Sequence, residues 1–206
     1  RPIDRHVEGL GKMGAKISYK EGMFIAVAPN GLKGANYTFE KNTHTGTETL
    51  ILAAVLAHGK TVLNNAAQEP EIDDLIYLLN KMGADIKRVK SRTIVINGVK
   101  NLNGAEFKVQ PDRNELVTFA CAAIATKGDV FIEYKDKINI KAFLIELELA
   151  KIPYEEKEDG FRFYYSGKFK GTNVTTLPHP GFMTDWQAPW MTLMTQAQGS
   201  STLHET

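Results

Sequence analysis

Two periodicities alternate along this chain, one typical of helices and the other typical of strands. Residues 50–57 form the run LILAAVLA and residues 119–125 form the run FACAAIA, and both runs show little of a polar face. A helix that is apolar nearly all round is buried on most of its sides. The pattern therefore predicts a fold in which sheets wrap around helices.

Related segments recur about every 70 residues, which is longer than the common solenoid periods. GLGKMGAKI at 9–17 and YLLNKMGADI at 77–86 are near copies that predict a helix, a turn and the start of a strand. A second group of copies predicts a glycine-containing turn followed by an alternating strand. This group consists of GLKGANYTFE at 31–40, NLNGAEFKVQ at 101–110 and KFKGTNVTTL at 168–177. Each repeat is therefore a substantial α/β unit.

The most complete copy spans residues 32–100, and its pattern predicts the order strand, helix, strand, helix, strand, strand. Pro70 stands near the first position of the second helix, and Gly59 and Gly83 stand where left-handed helix caps are expected. The predicted elements of this copy are 35–40, 47–58, 61–65, 71–82, 85–89 and 93–96.

Another copy begins at Ala105, a third begins at Thr172, and an earlier one supplies only residues 1–28. Because the copies at the two ends are incomplete, we expect the chain to be a piece of a longer protein. The elements predicted in this part are strand 106–110, helix 115–126, strand 129–134, helix 140–150, strands 154–157 and 161–165, and helix 188–198.

The composition narrows the classes of protein and of partner. Of the 206 residues, 43% are hydrophobic and 24% charged, as in ordinary soluble globular proteins, and a net charge of +1 favours neither nucleic acid nor a membrane as a partner. Cys121 is the single cysteine, so an intrachain disulfide is excluded and a cytoplasmic setting is the default. Cys121 lies in an apolar run and is expected to be a core residue. The histidines show no metal-ligand spacing, so we expect neither a metal nor another cofactor.

The stretch at 41–58, KNTHTGTETLILAAVLAH, is a candidate anion-binding site. Lys41 precedes small residues at the start of a predicted helix, whose first turn has unpaired N–H groups and the positive end of the helix dipole. The alternative is an ordinary helix start with Thr45 or Thr47 as the N-cap. Both interpretations stay open on these residues alone.

Three segments together resemble the enolpyruvyl transferases, and within them the UDP-N-acetylglucosamine 1-carboxyvinyltransferase family. They are RPIDRH at 1–6, NAAQEPEIDDL at 65–75 and PHPGFMTDWQA at 178–188. The resemblance implies transfer of enolpyruvyl from phosphoenolpyruvate to the 3′-hydroxyl of UDP-N-acetylglucosamine, the first committed step of peptidoglycan synthesis. It places this chain mainly on the UDP-sugar side of the site.

The fold that this resemblance implies is a pair of inside-out α/β barrels, each built from βαβαββ units with helices inside and sheets outside. Residues 1–110 would form part of the first barrel, with one complete unit and the end of another. Residues 111–206 would form part of the second, with one complete unit and the start of another.

The resemblance also implies roles for individual residues. Asp185 matches the aspartate proposed to remove the proton of the sugar 3′-hydroxyl, and its alternative is an N-cap for the helix that follows. The matched binding residues are Arg1 for phosphate, then Pro2, Ile3, Asp4 and Arg5 for uridine, and Lys41, Thr43, His44 and Thr45 for the diphosphate.

The chain departs from the family pattern at several of these positions. Arg5, His44 and Thr45 stand where the family usually has leucine, valine and glycine, and residues 114–117 replace Ile-Glu-Thr-Gly. If the family glycine needs a positive φ, threonine fits poorly there. His44 either donates to phosphate or points into solvent.

A second group of candidates stands at loop positions that could face the implied ligand cleft, or could be solvated caps or ion pairs between the barrels. It consists of Glu69, Glu71, Asp112 and Arg113.

The family segments that act on phosphoenolpyruvate fall outside this chain, so we expect the chain alone to be inactive. Cut barrels would expose apolar surface and favour self-association. Two alternative functions stay open. The protein could be an enolpyruvyl transferase with another acceptor, of the shikimate 3-phosphate type or another nucleotide, or it could be a non-catalytic paralogue that binds a nucleotide sugar.

Overall fold

The computed structural model describes residues 3–134 and 138–206. The chain divides into two compact units, Arg1–Val109 and Gln110–Thr206, and both are mixed α/β structures. The assignment of the two units to two barrels stays a prediction. Arg1 and Pro2, for which the resemblance implies phosphate and uridine contacts, lie outside the described residues. None of the helices in the described ranges is long and apolar enough to cross a membrane.

The first unit has a helix and a hairpin followed by one βαβαββ motif. Its elements are α1 (Asp4–Lys12), β1 (Lys16–Lys20), β2 (Met23–Val27), β3 (Asn36–Thr38), α2 (His44–Val55), β4 (Lys60–Asn64), α3 (Pro70–Lys81), β5 (Asp85–Lys90) and β6 (Thr93–Asn97). The sheet order is β3-β4-β6-β5, in which β3 and β4 are parallel and the other neighbours are antiparallel. The element order predicted for residues 32–100 is confirmed.

Alternation along the strands determines which face of this sheet packs against the helices. Thr61 and Leu63 on β4 and Ile94 and Ile96 on β6 are fully buried, while the residues between them are more exposed. Successive side chains of a strand point to opposite faces. One face of the sheet therefore forms a common core with α2 and α3, and each fully buried Leu or Ile stabilises the fold by roughly 1.5–3 kcal/mol.

The Lys-Met-Gly-Ala repeat has the same backbone conformation in both copies. Gly14 after α1 and Gly83 after α3 have φ values of 94° and 101°, which glycine adopts at little cost. The predicted left-handed cap at Gly83 is confirmed. Gly59 has the expected left-handed backbone, with a φ of 98°. Its predicted role as the cap of α2 is wrong, because α2 ends at Val55 and Gly59 directly precedes β4.

The second unit has a three-stranded antiparallel sheet of order β7-β9-β8 and a separate parallel pair, β10 and β11. Its elements are α4 (Arg113–Ala125), β7 (Asp129–Glu133), α5 (Lys141–Ala150), β8 (Tyr154–Lys157), β9 (Gly160–Tyr164), β10 (Asn173–Thr175), α6 (Gln187–Met194) and β11 (Thr202–His204). Aromatic side chains fill its core, namely Phe143, Phe161, Phe163, Phe169, Phe182, Trp186 and Trp190. Cys121 is 3% exposed, as predicted for a core residue, and burial raises the pKa of its thiol to about 12.

The predicted strand at 106–110 is wrong. Residues 101–112 have no regular secondary structure, and most of their side chains are exposed. Lys81 at the end of α3 lies 5.7 Å from the ring centre of Phe107 and donates to the carbonyl oxygen of Glu106 at 3.3 Å. A strand needs a neighbouring strand for its hydrogen bonds, and this segment packs against α3 instead.

The long apolar helices are buried on the side that faces each core, but not all round. Leu52 on α2 is 55% exposed and Phe119 on α4 is 57% exposed. The sheets of the described residues have two, four, three and two strands, and none of them closes on itself. The mixed α/β class is confirmed, while the inside-out barrel and the self-association stay predictions.

Candidate functional site

Helix α2 begins in the threonine-rich stretch, with Thr43 as its N-cap. The Thr43 backbone is extended, and its hydroxyl accepts a hydrogen bond from the N–H of Gly46 at 3.3 Å. A Cβ at Gly46 would lie 2.5 Å from the Thr43 methyl carbon, so this close turn requires glycine. The predicted cap at Thr45 or Thr47 is wrong, because both residues lie within the helix.

The first turn of α2 offers donors to an anion. The N–H groups of His44 and Thr45 precede the first intrahelical hydrogen bond and lie at the positive end of the helix dipole. Lys41, two residues before the cap, is exposed and adds a full charge to the same loop. Thr45 is helical and has no positive φ, so threonine is accommodated where the family has glycine.

The His44 side chain lies against its own helix. Its Nε2 is 3.4 Å from Oε1 of Glu48, one turn further on, and the two side chains are 32% and 34% exposed. Neither expectation for His44, donation to phosphate or a free position in solvent, included this pair. An i,i+4 pair of this kind contributes about 0.3–0.5 kcal/mol, and only when the histidine is protonated.

His6 joins the start of α1 to the start of α2. Its Nδ1 lies 2.9 Å from the hydroxyl of Thr49, and its Nε2 lies 3.4 Å from the hydroxyl of Thr45. The predicted uridine segment, of which Ile3, Asp4 and Arg5 are described, and the predicted diphosphate loop therefore lie at neighbouring helix starts. Sequence reasoning gave His6 no role, and only its place in RPIDRH set it apart.

The loop after β4 is hydrogen bonded to the same helix start. The hydroxyl of Thr47 accepts from the N–H of Ala67 at 3.0 Å and donates to the carbonyl oxygen of Thr43 at 2.8 Å. The amide of Asn42 donates to the carbonyl oxygen of Asn65 at 3.4 Å. Since Thr47 is fully buried, its hydroxyl links the cap of α2 and this loop within the core.

Glu69 and Glu71 stand on either side of Pro70 at the start of α3. Glu69 is 7% exposed, and its Oε2 is buried without a hydrogen-bond partner among the described residues. The alternative that Glu69 is a solvated cap is wrong, because the side chain is buried and makes no cap hydrogen bond. Glu71 lies in the first turn, where the helix dipole favours a negative charge.

Asp185 lies in a short 3₁₀ turn, Thr184–Trp186, that leads directly into α6. Its side chain is exposed and accepts no hydrogen bond from the parts of the chain that the structure describes. The alternative that Asp185 caps α6 is wrong, because neither the turn nor the helix has a side-chain cap. A carboxylate that the fold leaves unpaired is able to accept a proton from a bound hydroxyl.

The residues next to Asp185 are anchored. The indole N–H of Trp186, which is 1% exposed, donates to Oδ1 of Asn114 at 2.9 Å. The hydroxyl of Thr184 donates to Oε1 of Glu205 at 2.9 Å, and the amide of Gln187 donates to Oε2 of the same carboxylate. Sequence reasoning missed both anchors, because it treated Asn114 as a departure from the family pattern and assigned Glu205 no role.

Asp112 and Arg113 begin α4 and have structural roles there. Asp112 is the N-cap, and its carboxylate accepts from the N–H of Asn114 at 2.7 Å, so the cap alternative is confirmed for this residue. Arg113 is 2% exposed. Its guanidinium donates to Nδ1 of His179 at 3.0 Å and lies 5.8 Å from the ring centre of Trp186. Arg113 therefore packs within the second unit instead of standing in an exposed loop.

One known protein family matches the chain over its full length. A family profile described as EPSP synthase (3-phosphoshikimate 1-carboxyvinyltransferase) matches residues 1–206. The chain belongs to the EPSP synthase family. This match and the relatives of the chain confirm the resemblance to enolpyruvyl transferases that the three sequence motifs carry.

Curated relatives in the EPSP synthase family are similar to the chain from end to end. The UDP-N-acetylglucosamine 1-carboxyvinyltransferase of Gluconobacter oxydans is 43% identical over 206 residues, and that of Acidiphilium cryptum is 45% identical over 206 residues. Each match covers 100% of this chain and 49% of the relative. The chain thus spans about half the length of the curated relatives it matches.

Two solved structures share the fold of this chain. The enolpyruvyl transferase NikO from Streptomyces tendae has a TM-score of 0.85 at 18% identity, and the match covers 100% of this chain and 51% of that one. EPSP synthase from Acinetobacter baumannii has a TM-score of 0.53 at 16% identity, covering 99% and 66%. At these identities the likeness shows the fold alone, the mixed α/β fold of the EPSP synthase family.

Proposed function

We propose that the protein carrying this chain transfers enolpyruvyl from phosphoenolpyruvate to the 3′-hydroxyl of UDP-N-acetylglucosamine. The observation that carries the proposal is the 42–45% identity along the whole chain to relatives that bear the name of this enzyme. The reaction is the first committed step of peptidoglycan synthesis, and we place it in the cytoplasm. In the full-length protein, each of the two units would form part of one inside-out barrel.

The start of α2 would hold the diphosphate of the UDP-sugar. Lys41 supplies the charge, Thr43 fixes the turn, and the N–H groups of His44 and Thr45 point out of the helix end. Their hydrogen bonds to an anion are charge-assisted and thus stronger than neutral ones. We assign Arg1 to the phosphates and the segment from Pro2 to Arg5 to the uridine.

Asp185 would act as the base in an addition–elimination reaction. Its carboxylate takes the proton of the 3′-hydroxyl, and the sugar oxygen forms a bond to C2 of phosphoenolpyruvate. C3 of phosphoenolpyruvate gains a proton as this bond forms, which gives a tetrahedral intermediate. Inorganic phosphate then leaves as the C–O bond to it breaks, and loss of a proton from C3 restores the double bond. The carboxylate of Asp185 is exposed and accepts no hydrogen bond from residues 3–134 and 138–206, which suits this role because both of its oxygens are available to the substrate.

The second group of candidates has weaker support for ligand contacts. Glu69 retains a buried oxygen without a partner in the described part of the chain and is the best of them. Asp112 and Arg113 are engaged in the start of α4, so we assign them to the support of that helix. The position of Glu71 in the first turn of α3 is compatible with a ligand contact or with dipole stabilisation alone.

The experiment that tests the proposal is phosphate release by the full-length protein, with phosphoenolpyruvate and one acceptor at a time. We expect release with UDP-N-acetylglucosamine and none with shikimate 3-phosphate. Release only with an acceptor other than UDP-N-acetylglucosamine would favour the second candidate function, enolpyruvyl transfer to a different acceptor. The changes at Arg5, His44 and Thr45 motivate that alternative. Binding of UDP-N-acetylglucosamine without any release would favour a non-catalytic paralogue.

A further inference from the structure

One carboxylate, that of Glu205, gathers three hydrogen bonds around the turn that contains Asp185. The hydroxyls of Thr184 and Thr176 each donate to it at 2.9 Å, and the amide of Gln187 is the third donor. Two of these donors, Thr184 and Gln187, lie on either side of Asp185 in the chain. Glu205 therefore holds the first residue of the turn and the first residue of α6.

Glu205 is itself fixed by the parallel pair of strands. The N–H of Thr176 donates to the carbonyl oxygen of His204 at 2.9 Å, and the N–H of Thr206 donates to the hydroxyl of Thr176 at 3.2 Å. Thr176 is 1% exposed. The backbone on both sides of Glu205 is thus tied to a buried residue, although the Glu205 side chain lies at the surface.

The position of Asp185 depends on its neighbours, because its own carboxylate has no hydrogen-bond partner among the residues that the structure describes. Trp186 is held from the side of α4 by Asn114. Thr184 and Gln187 are held from the side of β11 by Glu205. Without Glu205, the bonds from Thr184 and Gln187 would be lost, while the bond from Trp186 to Asn114 would remain.

We propose that Glu205 is a positioning residue for Asp185, which it holds in the geometry needed for proton removal from the acceptor hydroxyl. The inference rests on the proposed function, since it concerns the same reaction. A carboxylate is suited to the role because its two oxygens accept from several donors at once. Glutamine at this position would offer one acceptor oxygen and would set its own NH₂ group against that of Gln187.

The first test is the steady-state kinetics of phosphate release by the full-length protein. We expect Glu205→Ala to lower kcat about tenfold to a hundredfold, the cost of a misplaced catalytic group, with the KM for UDP-N-acetylglucosamine changed by less than about threefold. Glu205→Gln should recover part of the loss. Glu158→Ala, which removes an exposed carboxylate of the β8–β9 turn in the same unit, is the matched control and should retain full activity.

A double-mutant cycle separates positioning from general damage. If Glu205 acts through Asp185, adding Glu205→Ala to Asp185→Ala should lower kcat by no more than about twofold further. Full additivity of the two losses would overturn the inference and leave the proposed function standing. Full activity of Asp185→Ala would overturn the role of Asp185 as the base and the inference with it. No phosphate release by the unaltered protein would overturn the proposed function itself.

Amide hydrogen exchange gives a measure that does not depend on turnover. Glu205→Ala should speed exchange at residues 184–187 by about tenfold or more, while β8 and β9 keep their rates. Unchanged exchange at 184–187 would contradict the positioning role even if kcat falls. Faster exchange throughout the second unit would also contradict it, because the effect would then be general destabilisation.

Discussion

The indole N–H of Trp186 donates to the side-chain oxygen of Asn114 at 2.9 Å, which ties the residue after Asp185 to the first turn of α4. Asn114 stands where the family usually has isoleucine, a residue that could not accept this bond. The departure from the family pattern at this position is therefore matched by a hydrogen bond to the neighbour of the proposed base. Trp186 is 1% exposed, so its N–H has little access to water as a substitute acceptor.

Replacing Asn114 should destabilise the protein through this hydrogen bond. We expect Asn114→Ala to lower the free energy of unfolding by about 1–3 kcal/mol, because a buried donor is left without an acceptor. Urea unfolding followed by tryptophan fluorescence measures the change. In a Trp186→Phe background the same substitution should lower the free energy of unfolding by a clearly smaller amount. An equal cost in both backgrounds would show that the bond contributes nothing.

The N-cap of α2 offers a test that joins stability to binding. Thr43→Ala should cost about 1 kcal/mol of unfolding free energy, since the N–H of Gly46 loses its acceptor. Under the proposed function it should also raise the KM for UDP-N-acetylglucosamine more than it lowers kcat. Thr43→Ser keeps the hydroxyl and is the control. A serine variant as impaired as the alanine variant would show that the hydroxyl is not what matters.

Asp129 should make stability depend on pH. The hydrogen bond from Arg162, with Nε 2.9 Å from Oδ1, lowers the pKa of the Asp129 carboxyl below its usual range. A lowered folded-state pKa contributes stability that is present above the unfolded-state value and is lost as pH falls through the folded-state value. Asp129→Asn should therefore lower the thermal midpoint at pH 6 to 7, and the gap to the unaltered protein should close in strong acid.

Two controls belong to this measurement. Asp159→Asn, on an exposed turn of the same unit, should leave the midpoint almost unchanged at every pH. High salt should narrow the gap at neutral pH, because both Asp129 and Arg162 are exposed to solvent. A gap that stays constant from neutral pH into strong acid would rule out this carboxylate as its source.

Cys121 should be unreactive in the folded protein. Burial raises the pKa of its thiol to about 12, so the thiolate, which is the reactive form, is scarce even at pH 9. We expect alkylation of Cys121, followed by peptide mass mapping, to be far slower in the native protein than in denaturant and to rise little between pH 7 and pH 9. Rapid labelling of the native protein at pH 8 would contradict the buried position.

Sequence patterns correctly predicted the elements that are determined by nearby residues in the chain. The βαβαββ order of residues 32–100 follows from periodicity, and the cap at Gly83 follows from the repeat. The strand predicted at 106–110 failed because alternation does not reveal whether a neighbouring strand exists. Helix α2 begins three residues earlier than the pattern predicted, because the side chain of Thr43 takes the cap position.

The supports of the candidate site were beyond the reach of local patterns. His6 contacts Thr49 across 43 positions of sequence, and Asn114 contacts Trp186 across 72. Glu205 follows the last element predicted from the sequence, helix 188–198, yet its carboxylate organises the turn around Asp185. Resemblance to the family supplied Asp185 itself, while the residues that hold it came only from the three-dimensional arrangement.

The measurement that tests the central claim most directly is phosphate release by full-length Asp185→Asn with phosphoenolpyruvate and UDP-N-acetylglucosamine. Asparagine keeps the size of the side chain and removes the base, and general-base catalysis contributes about a hundredfold to ten-thousandfold. We predict a loss of kcat in that range with UDP-N-acetylglucosamine binding retained, as measured by calorimetry. A variant that releases phosphate at the rate of the unaltered protein would contradict the account.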